Sequence, residues 1–96
     1  MKIESFKHKG LRRFYEDGQQ RGVPAASRKK LENILGFLDA MTDTVELLSP
    51  VLKWKAHELV GNRKGTWSLS VTANLRLTFW VDDQRRLRDL NLEDYH

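Results

Sequence analysis

A change of apolar period partway along the chain constrains its fold more than any other feature. Leu31, Ile34, Leu35 and Leu38 recur at i, i+3, i+4 and i+7, which places four side chains on one stripe of a helix. From Trp67 the spacing becomes two. Trp67, Leu69 and Val71 alternate with Ser68, Ser70 and Thr72, and Leu75, Leu77, Phe79 and Val81 alternate with Arg76, Thr78 and Trp80. A period of two gives each strand one face for the core and one for solvent or a ligand.

The remaining elements fill in around these. Ile3 and Phe6 are expected in a brief first strand, followed by a helix from Lys9-Gly10 that carries Leu11, Phe14 and Tyr15 and stops near Gly18. Gly22-Val23-Pro24 links it to the second helix, with Pro24 tolerated in a first turn, and that helix ends near Ala40 or Met41. Thr42-Asp43-Thr44 caps a short acidic turn that Ser49-Pro50 ends. Thr72-Ala73-Asn74 and Asp82-Asp83-Gln84-Arg85 are expected turns, and a last strand runs through Leu90 and Leu92 into Glu93-Asp94-Tyr95-His96. The fold class is α+β: two N-terminal helices packed on one face of a mostly antiparallel sheet. With 96 residues, a single domain spanning 1–96 is expected.

Charge is uneven along the chain. Residues 1–30 carry nine basic and three acidic side chains, residues 31–50 none and four, and residues 51–96 eight and six. A basic first third suits an anionic partner such as nucleic acid, since cations gain by displacing counterions from phosphates; a merely solvated surface accounts for it equally well. Arg28, Lys29 and Lys30 stand in the early turns of the second helix, where positive charge opposes the helix dipole. No apolar run approaches a membrane span and the first residues do not read as a secretory signal, so no membrane partner and a cytoplasmic location are expected. There is no cysteine, which removes thiol nucleophiles, disulfides and thiolate metal sites. His8, His57 and His96 match no zinc spacing, so neither metal nor cofactor is expected.

Four features bear on chemistry. The loop Gly61-Asn62-Arg63-Lys64-Gly65 sets two cations between two glycines, a composition that admits a phosphate closely but also suits a solvated hairpin tip. Arg76 is a mid-strand cation on the polar face, able to meet an anion across the sheet or to make an ordinary cross-strand ion pair. His57 lies on a strand just before the loop, where a structural histidine is commonplace. Asp94, Tyr95 and His96 put an acid, a phenol and an imidazole within three residues. If the last strand pins them, they sit beside Arg76 and His57. An imidazole exchanges protons near neutral pH and a guanidinium holds developing phosphate charge; together they fit phosphodiester cleavage.

The runs His57-Glu58-Leu59-Val60-Gly61-Asn62-Arg63-Lys64-Gly65, Trp67-Ser68-Leu69-Ser70-Val71, Asn74-Leu75-Arg76-Leu77-Thr78-Phe79 and Glu93-Asp94-Tyr95-His96 resemble HigB toxins of the RelE superfamily. The opening Ser5-Phe6-Lys7-His8-Lys9-Gly10-Leu11 and the Gly22-Val23-Pro24 linker are similar as well, so the resemblance covers nearly the whole chain. It implies a type II toxin, an endoribonuclease that cleaves mRNA in the A site of the 30S ribosomal subunit. The cut would be made without metal by attack of a ribose 2′-OH, leaving a cyclic phosphate and a 5′-hydroxyl. It also implies a HigA-type helix-turn-helix antitoxin as partner, with operator DNA contacted mainly through the antitoxin.

By position, His57, Asn74, Arg76, Asp94, Tyr95 and His96 match the family's active-site residues. The working assignment on these positions gives proton transfer to His57 and His96 with Asp94 assisting, base and acid left open, transition-state charge to Arg76 and Arg63, and orientation or base stacking to Tyr95 and Asn74. Val60 stands where the family pattern often has lysine, so Lys64 or Lys55 is expected to supply the missing cation. Leu75 stands where tryptophan is common and faces the core. The loss at Val60 is what favours an alternative, a weakened RNA-binding or repressor-partner module of the same fold.

Overall fold

A computed structural model describes residues 1–94. It contains helices α1 (Lys9–Asp17) and α2 (Arg28–Ala40), then strands β1 (His57–Glu58), β2 (Thr66–Ser70), β3 (Leu75–Val81) and β4 (Leu87–Asp94). The strands form one antiparallel sheet in the order β1-β2-β3-β4. This is the α+β arrangement expected from the two periods. The stripe Leu31, Ile34, Leu35 and Leu38 is buried against Leu69, Leu77, Phe79, Leu87 and Leu90.

The local devices follow from residue chemistry. His8 caps α1, its Nδ1 accepting from the Leu11 amide at 2.9 Å, and Gly18 ends the helix at φ 71°, a conformation that glycine adopts without a Cβ penalty. Asp43 and Glu46 cap the acidic turn Thr44–Leu48 as a reciprocal pair. No helix among the described residues is long and apolar enough to cross a membrane.

Two expectations are corrected. The N-terminal strand is reduced to two isolated parallel bridges, Ile3 to Leu87 and Phe6 to Leu90. The reason is a kink in its partner: Thr78 pairs with Asn91 but Trp80 with Arg88, so β4 carries an extra residue there. Asp89 sits in the bulge at φ 55°, with its amide donating to Ser5 Oγ at 2.9 Å. The segment still covers the outer edge of β4, which protects it from pairing with other chains. The second correction concerns the polar face of the sheet, which is not simply open: Ser68 and Thr78 are 3% and 2% exposed.

Gly10 and Gly22 meet back to back. A Cβ on Gly10 would lie 2.3 Å from the Gly22 carbonyl oxygen, closer than any relaxed contact, and the obstacle is backbone. Alanine usually favours a helix interior over glycine by about 1 kcal/mol. Here the sign reverses, and Gly10→Ala is expected to destabilise by about 1–3 kcal/mol, read as a lower urea midpoint with unchanged slope.

Candidate active site

Paired residues of antiparallel strands share a face, so the register fixes what the polar face presents. One row is His57, Ser68, Thr78 and Asn91; the next is Ser70, Arg76 and Glu93. With strands about 4.8 Å apart and residues about 3.4 Å along each, the backbones of His57 and Arg76 are roughly 12 Å apart on the same surface. The two long side chains flank a floor made by the buried Ser68 and Thr78 hydroxyls.

Glu93 is the hub of this surface. Arg63 donates to it through both terminal nitrogens, at 2.8 Å to Oε1 and 2.7 Å to Oε2. Arg76 donates to Oε1 at 3.1 Å and Thr78 Oγ1 to Oε2 at 2.7 Å. The fork-to-fork pair is the strong, direction-setting kind. The side chains of Glu93 and Arg76 are 19% and 20% exposed, and that of Arg63 is 41% exposed. Arg63 foremost, with Thr78 and Arg76, holds the Glu93 carboxyl down at about 2, against the opposing effect of burial. Glu93 in turn raises the affinity of Arg63 for its proton. Two guanidiniums thus share this one carboxylate.

Arg63 reaches the hub because of its loop. Gly61 at φ 75° and Gly65 at φ 95° take conformations that strain other residues, and they fold the turn Gly61–Arg63 back over the sheet. The two cations of the loop therefore part company: Arg63 turns inward to Glu93, while Lys64 stays exposed.

His57 is exposed on β1 and its Nδ1 lies 2.9 Å from the Lys55 carbonyl oxygen. A carbonyl can only accept, so Nδ1 donates to it and Nε2 is the ring nitrogen left open towards a substrate proton. Lys55 itself is in the left-handed region at φ 52°. Asn74 is exposed in the β2–β3 turn, its amide donating to Thr72 Oγ1 at 3.3 Å. Val60 is 87% exposed and contributes no charge.

The structure brings His57, Arg63 and Arg76 to one face, with Lys55 behind His57. Asp94 does not join them, contrary to expectation. It pairs with Leu75, one residue beyond Glu93, and side-chain alternation places it on the opposite face, where it lines a cleft of about 380 Å³ with His8, Arg21 and Leu92. Tyr95 and His96 lie outside the described residues. Glu93 and Thr78 are the functional residues that sequence reasoning missed. Their signal was an acid and a hydroxyl on the polar face of strands next to Arg76, readable only with the strand register in hand.

Comparison with known proteins places these features in a family context. The family model described as RelE-like toxin of type II toxin-antitoxin system HigB matches residues 4–96. The chain is 41% identical over 95 residues to Endoribonuclease HigB of Proteus vulgaris, covering 98% of this chain and 99% of that protein. Its fold resembles the YoeB/ParE toxin from Agrobacterium tumefaciens, with a TM-score of 0.63, 16% identity and full coverage of both chains. It also resembles YafQ from E. coli, with a TM-score of 0.61, 19% identity and coverage of 97% and 93%. At those identities the two structures speak to fold alone.

Proposed function

Because this chain belongs to the HigB-like family, the RelE-like toxins of type II toxin-antitoxin systems, and is an endoribonuclease toxin of that kind, we propose that it cuts mRNA in the A site of the 30S ribosomal subunit and so inhibits translation. The reaction is attack of a ribose 2′-OH on the adjacent phosphorus. The new P–O2′ bond forms as the P–O5′ bond breaks, the 2′ proton passes to a base, and an acid delivers a proton to O5′. The products are a 2′,3′-cyclic phosphate and a 5′-hydroxyl, and no metal takes part in the step.

The observation that carries this reading is the gathering of Arg63 and Arg76 on the face that presents His57 Nε2. The open Nε2 suits His57 to proton transfer, paired with His96. The guanidiniums hold the charge that grows on the phosphoryl oxygens. Arg63 has five N–H donors and gives two hydrogen bonds to Glu93. Because Glu93 holds both planes in place, little reorganisation is needed as charge develops. Tyr95 and Asn74 orient or stack the displaced base, and Lys64 or Lys55 supplies the cation that Val60 does not.

The partner is a HigA-type helix-turn-helix antitoxin, through which the complex contacts operator DNA, and the site of action is the cytoplasmic ribosome. Induced expression of the chain in a bacterium is expected to arrest growth and to leave mRNA cuts that follow the reading frame. Co-expression with the neighbouring antitoxin gene should relieve both effects. Unimpeded growth with intact messages would favour the binding-module alternative, for which the exposed Val60 is the supporting feature.

A further inference from the structure

Beyond the Arg63–Glu93–Arg76 cluster, at the hairpin end of the same sheet, lies a cleft of about 490 Å³ lined by Lys30, Lys53, Lys55, Ser70, Thr72 and Ala73. Among the described residues, three lysines from two separate segments line it and no carboxylate does. Among the described residues none of the three lysines forms an ion pair, whereas Lys2, Lys29, Arg63, Arg76, Arg85, Arg86 and Arg88 each do. Like charges left facing one space repel, and a bound anion relieves that repulsion.

The lysines are also held in place. Lys53 and Lys55 have φ values of 59° and 52°, and the residue between them anchors the segment. Trp54 packs edge-on against Phe37 of α2, with ring centroids 5.4 Å apart, and its carbonyl accepts from the Ser70 amide at 2.8 Å. With Trp54 fixed against α2, the backbone that carries Lys53 and Lys55 along the cleft is held in place. Lys30 comes from the first turn of α2, a turn without an acidic side chain, where its charge adds to the positive end of the helix dipole.

We propose that this cleft is a phosphate subsite, gripping an RNA backbone phosphate adjacent to the one that is cut. Ser70 pairs with Arg76 across β2 and β3, so the cleft continues the row that carries the guanidiniums. Lys55 links the two places, because its carbonyl orients His57 while the residue also lines the cleft. A strand seated in the cleft is thereby registered against the reacting groups. The inference rests on reading the polar face as the nuclease site.

The test is anisotropy of a fluorescein-labelled single-stranded RNA hexamer, blocked by 2′-O-methylation, titrated with protein over a range of KCl concentrations. Lys30→Gln, Lys53→Asn and Lys55→Asn are combined, asparagine being chosen because it tolerates the left-handed backbone. This variant is expected to bind about tenfold more weakly, with a slope of log K against log[KCl] reduced by about 0.7, the loss of one single-strand phosphate contact. A charge-matched variant, Lys2→Gln with Lys7→Gln and Lys29→Gln, should bind within about twofold of the original with an unchanged slope.

The same titration with vacant ribosomes separates the two sources of phosphate. Loss with the hexamer and the ribosome supports the subsite beside the cut; loss with the ribosome alone assigns the cleft to ribosomal RNA and overturns that placement. Equal binding and equal slope for the cleft variant and the original, in both titrations, overturns the proposal. If the triple variant melts early, Lys30→Gln alone is read, with about threefold weaker binding expected. The assay measures binding, so failure of the nuclease reading, seen as absence of cleavage, leaves the result interpretable.

Discussion

Arg76→Ala is expected to reduce message cutting by about 10²–10³-fold, the usual cost of removing one preorganised donor to developing charge. Arg76 is positioned for that role from mid-strand, 20% exposed, with one nitrogen held 3.1 Å from Glu93. The fold should survive, because Glu93 keeps both Arg63 bonds and the Thr78 hydroxyl. The loss of one charge-assisted bond costs about 1.5–3 kcal/mol. Arg76→Lys should recover the stability better than the rate, since an ammonium is a point charge without the planar fork. Single-turnover cutting on programmed ribosomes, set beside a urea midpoint, separates the two effects. Near-normal cutting by the alanine variant would remove Arg76 from the chemistry.

Glu93→Ala is the change with the largest expected effect on stability. It leaves Arg63, Arg76 and Thr78 facing one another without their common acceptor, with two positive charges on a half-covered surface. Breaking a fully buried pair costs about 3–5 kcal/mol; with Arg63 41% exposed, about 2–3 kcal/mol is expected here. Glu93→Gln keeps the shape but not the charge and should fall between the two.

The contribution has a defined pH window. The folded carboxyl is held at about 2, against an ordinary value of 4.5. A depressed folded value means that the native state binds this proton less readily than the unfolded chain does. The stabilisation is therefore complete above about 4.5 and lost as pH falls from there towards 2. Urea midpoints of the original and the Glu93→Gln variant should differ clearly at pH 7 and converge near pH 2.5. Parallel curves across that range would show that Glu93 is not the group that titrates.

The helical stripe from Leu31 to Leu38 and the alternation on β2 and β3 were legible from sequence because each is a direct projection of backbone geometry onto residue order. Arg76 could be singled out on the same basis, and His57 only through the family resemblance. Glu93 could not, because one bulge hides it. Without the extra residue at Asp89, counting back from the Asp82–Arg85 turn would pair Arg76 with Leu92. With it, Arg76 faces Glu93, and Asp94 moves to the helix face. Apolar spacing in β4 is correspondingly irregular, with Leu87 and Leu90 both fully buried three residues apart. Lys55 was named from sequence as a cation, but Lys53 and the left-handed backbone at both lysines were illegible for a related reason: that conformation at lysine has no compositional sign.

What joins these elements is the claim that the polar face of β1–β4 cuts RNA by 2′-OH attack on the ribosome. Purified protein, added to ribosomes stalled on a defined message, tests it most directly when the new RNA ends are identified chemically. Cuts are expected within the A-site codon, dependent on the ribosome and ending in a 2′,3′-cyclic phosphate and a 5′-hydroxyl. Ends bearing a 3′-hydroxyl and a 5′-phosphate, or an uncut message, would contradict it.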